Sequence, residues 1–211
     1  MKICIISDTH GQHDFIGINS YSADTIIHCG DISGNGKINS IQNFLNWFSN
    51  LNQFKHKIFI AGNHDLLFEK SGIIAREIIP NNIIYLEDNE VIIDDIKFYG
   101  SPVQKHFNNW AFNRDETKLA QHWAAIPENT DILITHSPPL GIGDFVPWAN
   151  SHEGSPSLHD EVINRIKPKI HCFGHIHEGY GLKIINNIKF VNASNLNGNY
   201  EVVNNPFIFN L

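Results

Sequence analysis

The chain is poor in arginine: only Arg76, Arg114 and Arg165 occur among its 211 residues. With the lysines there are 15 basic residues against 22 acidic ones, a formal net charge of −7. A protein that tracks a nucleic-acid backbone needs a basic surface, and a site for a triphosphate wants more forked donors than three arginines supply. Cysteine is scarce too. Cys4, Cys29 and Cys172 are odd in number and far apart, and no CxxC pair occurs. Each sits in an apolar run, so all three are expected to be buried reduced thiols of a cytoplasmic protein. Long hydrophobic runs are missing. The opening MKICIISDTH turns polar after a few apolar residues, so neither a signal peptide nor a membrane helix is expected. There is no linker, repeat or low-complexity stretch, and residues 1–211 read as a single domain able to bury a core.

What is present is a series of short β-branched runs, each ending in polar residues. KICIIS precedes Asp8, TIIHC precedes Gly30-Asp31, and HKIFIA precedes Gly62-Asn63. DILIT precedes His136, and PKIHCF precedes Gly174-His175. Such runs suit strands buried on both faces. KINSIQNFLNWFSNLNQF carries Ile38, Ile41, Phe44, Leu45, Phe48 and Leu51 at helical steps. RDETKLAQHWAAI opens with acidic residues fit for a first turn, and SLHDEVINRIK stops before Pro168. NIIYLEDNEVIIDDIKFYGSP and YGLKIINNIKFVNAS are broken by Asp-Asn, Asp-Asp and Asn-Asn, which predict hairpins. The pattern predicts an α/β (mixed α+β) chain: two mixed β-sheets packed as a sandwich with helices outside, in α-β-β-α order.

Every one of the five runs ends in a group able to bind metal: Asp8 with His10, Asp31, Asn63 with His64, His136, and His175 with His177. Ligands in α/β folds gather beyond the carboxyl ends of strands. Taken singly, Asp8 and Asp31 could cap helices, and His136 could be a core histidine bonded to a carbonyl. Seven ligand-type residues at successive strand ends call for a common cause, because buried unpaired carboxylates are costly. The mixture exceeds one tetrahedral zinc site. Two ions sharing a carboxylate use it up, and paired ions are a device for attacking phosphate esters.

The ordered motifs Asp8-Thr9-His10, Gly30-Asp31, Gly62-Asn63-His64-Asp65, His136 and Gly174-His175-Ile176-His177 resemble those of the calcineurin-like metallophosphoesterase superfamily. IAGNHDLLFEK, NNWAFN, DILITHSPPLG, PKIHCFGHIHEGYG and FVNAS are similar to its metallophosphoesterase-domain-containing branch, whose animal members are brain- and adult-expressed proteins. That branch is related to class III cyclic-nucleotide phosphodiesterases. Some animal members lack the first histidine of the last motif, which this chain keeps as His175. The resemblance implies that Asp8, His10 and His177 hold one metal, that Asn63, His136 and His175 hold a second, and that Asp31 bridges both. It implies a hydroxide between the ions as nucleophile, with His64 protonating the leaving oxygen or stabilising the phosphoryl group. Two divalent ions are expected, Mn²⁺ first, with Fe, Zn, Mg or Co also suited to mixed nitrogen and oxygen donors.

Departures from the pattern bear on the substrate. Protein Ser/Thr phosphatases of the superfamily carry GDxxDRG, where this chain reads GDISGNG with Gly34, Asn35 and Gly36. The Asp that would orient His64 and a phosphate-gripping Arg are therefore missing, so a protein phosphatase is not expected. A singly charged, nucleotide-like phosphodiester fits better; the alternatives are a phosphomonoester, or a low-activity nucleotide- or metal-binding regulatory role. FNNWAFNR offers Phe107, Trp110 and Phe112 beside Asn108, Asn109, Asn113 and Arg114. There a base is expected to stack and meet amides, unless Trp110 and Phe112 pack a core instead. Tyr180 and Trp148 are candidates for the mouth of the site. Neither a nucleic-acid polymer nor a membrane is an expected partner.

Overall fold

The computed structural model describes residues 1–211. In chain order come β1 (Lys2–Ile6), β2 (Ala23–His28), β3 (Phe54–Phe59), β4 (Ile84–Tyr85), β5 (Asn89–Ile93) and β6 (Ile96–Ser101). Two-residue strands β7 (Gln104–Lys105) and β8 (Asn113–Arg114) follow, then β9 (Ile132–Thr135), β10 (Phe145–Val146) and β11 (Ser151–His152). The chain ends with β12 (Ile170–Phe173), β13 (Gly181–Ile185), β14 (Ile188–Asn192) and β15 (Phe207–Asn210). One sheet has the order β15-β1-β2-β3-β4, and the other β13-β14-β12-β9-β6-β5. Strands β1, β2 and β3 run parallel, as do β6, β9 and β12.

Period-two alternation on both faces explains the continuous apolar runs. In β1, Ile3 and Ile5 enter the layer between the sheets, where Ile58, Phe98, Ile132, Ile134 and Ile170 also lie. Cys4 and Ile6 point the other way, onto Phe44, Phe48 and Phe59. On the second sheet Leu133, Phe173 and Phe190 face a third layer with Trp123 and Val162. Three apolar layers therefore separate helix, sheet, sheet and helix, as the sequence predicts. The cysteines are free and buried.

Helix α1 (Ile38–Ser49) buries Ile41, Phe44, Leu45 and Phe48 on one stripe. Two short helices follow, α2 (Leu66–Lys70) and α3 (Gly72–Glu77). Helix α4 (Glu116–Ala124) starts where the Asp115 side chain accepts from the Lys118 amide. The last helix, α5 (Pro156–Asp160), is capped by Ser155 and widens into a π-type turn over Glu161–Ile166. Lys167 ends it in the left-handed region, just before Pro168. No helix is long and apolar enough to cross a membrane.

The hairpins β5–β6 and β13–β14 turn on Asp94-Asp95 (φ 48° and 61°) and Asn186-Asn187 (φ 51° and 64°). Positive φ at both central residues is what a type I′ turn demands. The Asp-Asn break predicts a third hairpin, and there the structure differs. Asp88 (φ 56°) carries the chain from β4 in the first sheet to β5 in the second. A turn dipeptide fixes the local bend but not which sheet the next strand joins.

Candidate metal centre and its cleft

At the rim where the parallel strands end, the chain leaves extended geometry abruptly. Asp8 (φ 53°), His10 (φ 44°), Asp31 (φ 56°) and His175 (φ 68°) all occupy the left-handed region. Asp and His tolerate it better than most residues, at a cost of order 1–3 kcal/mol each. The first two loops run side by side, with the Asp8 amide bonded to Gly30 O and the His10 amide to Asp31 O, each at 3.0 Å. Gly174 and Gly62 permit the close approach. A Cβ on Gly174 would collide with the Asp8 carboxylate and the Ser7 hydroxyl, and one on Gly62 with Asp31.

Two buried carboxylates organise the centre. Asp8 accepts from the His175 amide at 3.1 Å and from the Ser194 hydroxyl at 2.8 Å, with His177 Nε2 3.6 Å away. Asp31 accepts from the His64 amide at 2.8 Å. Its other oxygen lies 3.6 Å from His10 Nε2 and 3.4 Å from His136 Nε2. His136 Nε2 is also 2.9 Å from the Asn63 side-chain oxygen, and His10 Nε2 is 3.2 Å from His177 Nε2. His175 lies beside His136, ring centroids 5.1 Å apart. It stands outside the tightest donor groups, which are Asp8-His10-His177, His10-Asp31-His64 and Asp8-Asp31-His136.

Charge follows from this crowding. Burial would raise the Asp8 carboxyl, but the hydrogen bond and charge of His177 and the charge of His136 hold it below the usual range. Burial opposes ionisation of Asp31 as well, and His136 and His10 outweigh it. Burial lowers His136 and His177, yet Asp31 and Asp8 respectively lift each to about 9. Burial dominates at His10, lowered to about 4 although Asp31 and Asp8 oppose it, and at His175, lowered to about 3.

Those residues fit cations. His136 donates Nδ1–H to Cys29 O and His177 donates Nδ1–H to Asn197 O, both at 2.9 Å. Each Nε2 is thereby the nitrogen that can surrender its proton to a metal, with the outer nitrogen fixed as metal-ligating histidines require. Two carboxylates, an amide oxygen and converging imidazoles are also a donor set for mixed nitrogen and oxygen ligation.

His64 Nδ1 donates to Gly34 O at 2.8 Å, and the ring stands edge-on to His10 with centroids 4.6 Å apart. The carbonyl of Gly34 is thus the hydrogen-bond partner of His64 where GDISGNG offers no carboxylate. Asp65, the last residue of the Gly62-Asn63-His64-Asp65 motif and without a role assigned from the sequence, is fully buried and accepts from the amides of Ile32, Ser33 and Gly62 and from the Ser33 hydroxyl, at 2.8–3.1 Å. It ties the Asp31 loop to the Asn63 loop. Burial and the charge of Asp31 push its carboxyl up to about 7.

A cleft of about 410 Å³ opens beside this centre, lined by His175 and His177 and by Phe107, Trp148 and Tyr200, with Lys105 and Glu153 3.5 Å apart. Of the aromatic candidates from the sequence, Phe107 and Trp148 line this cleft. The other substrate candidates are placed differently. Asn113 closes its own loop, accepting from the Phe107 amide and donating to the carbonyls of Phe107, Asn108 and Trp110. Asn108 is exposed and left-handed (φ 49°). Arg114 turns to Asn113 O and Glu69. Tyr180 donates to Asn205 O and packs on Phe207, outside the cleft. Trp110 stacks on His64. Tyr200, which the sequence does not single out, rests against His10 and His177 with centroids 4.9 and 5.2 Å apart. It comes from the polar, aperiodic stretch NLNGNYEVVNN, and only its left-handed backbone (φ 60°) marks it locally.

Comparison with known proteins gives a consistent answer. The family profile described as calcineurin-like phosphoesterase matches residues 1–179. The chain is 37% identical over 233 aligned positions to human "Metallophosphoesterase domain-containing protein 1", covering all of this chain and 71% of the human protein. It is 33% identical over 241 positions to the UPF0046 protein T07D4.2 of Caenorhabditis elegans, covering 60% of that protein. Protein TT1561 of Thermus thermophilus shares the fold, with a TM-score of 0.65 at 13% identity over 90% of this chain and 88% of that one.

Proposed function

The chain belongs to the calcineurin-like phosphoesterase family, whose members are metal-dependent phosphoester hydrolases, and we propose that it is a phosphodiesterase for small, nucleotide-like phosphodiesters. Asp8, His10 and His177 would hold one divalent cation, Asn63, His136 and His175 a second, with Asp31 between them and Mn²⁺ the favoured metal. Bound there, paired cations neutralise phosphoryl charge and activate a water.

The chain's own residues supply the rest. Asp31 Oδ2 faces the Nε2 atoms of His10 and His136 while its Oδ1 accepts from the His64 amide, so the centre and the acid share one anchor. His64, held by Gly34 O, would present Nε2 to the leaving oxygen and give it a proton, an effect worth roughly 10²–10⁴-fold in general acid catalysis. Phe107, Trp148 and Tyr200 would take an aromatic leaving group by stacking. The cleft holds Lys105 paired with Glu153 and no arginine, which supports a diester with one charge over a polyphosphate.

The observation that carries this reading is the inward aim of two tautomer-fixed histidines at two buried carboxylates, with His64 at their edge. Hydrolysis of bis-p-nitrophenyl phosphate and p-nitrophenyl phosphate by metal-stripped protein, with Mn²⁺ added back, tests it. Metal-dependent turnover favouring the diester is expected. Preference for the monoester would make it a phosphomonoesterase, and no turnover with metal bound would make it a regulatory binder.

A further inference from the structure

We propose that Trp110 is a positioning residue for His64, holding the imidazole plane that the Gly34 carbonyl alone leaves free to swing. The inference rests on His64 serving the reaction as described above. The two rings lie face to face, centroids 3.9 Å apart and planes 24° from parallel. A carboxylate partner of the kind absent from GDISGNG would grip the imidazole with charge. A carbonyl accepts over a broad range of directions, so the 2.8 Å bond from Nδ1 fixes where that nitrogen points and does little to stop rotation about the bond. A stacked indole restrains that remaining motion.

The loop bearing Trp110 is fastened to the same turn as His64. The Ala111 amide donates to Asn63 O at 3.1 Å, so the residue after Trp110 is bonded to the residue before His64. The Phe112 amide donates to Glu69 on α2 at 2.9 Å, and Asn113 Nδ2 donates to Trp110 O at 3.0 Å. Ala111 and Phe112 are buried in the layer beneath α1. Anchored in this way, the indole moves with His64. A substrate-stacking role fits less well: one face is already occupied, and the cleft's aromatics are Phe107, Trp148 and Tyr200.

The test is a double-mutant cycle on Mn²⁺-loaded protein with two diesters, one with a good and one with a poor leaving group. Trp110→Ala is expected to lower kcat about tenfold on the poor leaving group, with KM within about twofold and little change on the good one. Trp110→Phe, which keeps a flat face, is expected to recover most of the loss. In a His64→Ala background, Trp110→Ala is expected to add nothing, because groups that act as a unit are not additive. A Trp110→Ala loss that persists undiminished without His64, or that falls on KM, overturns the proposal. Equal losses on both leaving groups with a lowered melting temperature also overturn it, in favour of a packing role. A second readout needs no turnover. In zinc-loaded protein the His64 ring protons are expected upfield through the indole ring current, with that shift lost in Trp110→Ala and kept in Trp110→Phe. Unchanged His64 resonances overturn the placement. Should His64→Ala itself leave both diesters unaffected, the acid assignment fails, and the ring-proton spectra alone decide whether Trp110 holds His64.

Discussion

His136 stands between Asp31 and the backbone: its Nε2 lies 3.4 Å from the Asp31 carboxylate while its Nδ1 donates to Cys29 O at 2.9 Å. Asp31 lifts His136 to about 9, which favours an imidazolium balancing that carboxylate while no cation is bound. His177 does the same for Asp8. A pH dependence follows. His136 and His177 are raised from 6.5 to about 9, so their contribution is whole below pH 6.5 and is lost as pH rises through 9. His10, His28, His171 and His175 are lowered to about 4, 3, 3 and 3 by burial, so the fold is penalised as pH falls below 6.5. Asp65, raised to about 7, works against that acid limb but is one group against four. Metal-stripped protein is therefore expected to melt highest near pH 6.5. Excess Mn²⁺ should flatten the alkaline limb, since a cation replaces the two protons. Thermal unfolding from pH 5 to 10 checks this, and a melting point rising between pH 6.5 and 9.5 in stripped protein would refute it.

Removing the shared carboxylate should cost more than weakening any outer contact. Changing an outer partner of a metal ligand typically costs 10–100-fold, so Asp31→Ala and His136→Ala are each expected to lose more than about 100-fold in activity and to bind less metal. Metal analysis after dialysis, beside the turnover assay, measures both. Retention of full metal and full rate by the two variants would sink the paired-cation assignment.

Residue-local signals carried much of this architecture. Both-face-buried strands announce themselves as unbroken Ile-rich runs, and Asp-Asp and Asn-Asn announce turns that require positive φ. The gathering of Asp8, Asp31 and His136 follows once the strands are parallel, because parallel strands end on one rim. What depended on tertiary placement was harder to see. The partner of His64 is the Gly34 carbonyl, and a backbone atom has no residue-type signature. Asn113 resembles a ligand-binding amide in FNNWAFNR, yet its hydrogen bonds are spent inside its own loop. Tyr200 reaches the centre from beyond residue 179, where the shared family pattern has ended.

Asp65 ties two loops by accepting four hydrogen bonds, two at each oxygen. In Asp65→Asn one of those oxygens becomes an NH₂ group facing donors. Leaving buried donors unpaired costs about 1–3 kcal/mol, which for a chain of this size is a drop of roughly 3–10 °C in melting temperature. Because Ile32 and Ser33 follow Asp31 directly, activity should fall as well. Calorimetry of stripped protein isolates the structural part, and an unchanged melting point would show that the loops hold without Asp65.

Gly174 gives a sharper steric test. A methyl group there would meet the Asp8 carboxylate and the Ser7 side chain, both buried. Gly174→Ala is expected to displace Asp8 from the His175 amide, and so to weaken metal binding at the Asp8-His10-His177 group by about tenfold or more, in the range of outer-contact changes. Isothermal titration with Mn²⁺ reads it. A variant that binds two ions with unaltered affinity would mean the rim relaxes freely around the added methyl.

The cleft wall makes the last prediction, because substrate choice and chemistry come from different residues. Tyr200 rests on His10 and His177, and Trp148, 79% exposed, stands on the loop between β10 and β11. Stacking of a base on an aromatic face is worth about 1–3 kcal/mol, so removing one face should raise KM for a nucleoside phosphodiester between about fivefold and a hundredfold. Trp148→Ala should do this with kcat intact, since nothing joins Trp148 to the carboxylate centre. Tyr200→Ala should raise KM and also lower kcat, because its ring supports His10 and His177. Methyl-p-nitrophenyl phosphate, too small to span the cleft, should register the Tyr200 change and ignore the Trp148 change. If both variants alter the small and the nucleoside substrate equally, the cleft is not where the leaving group sits.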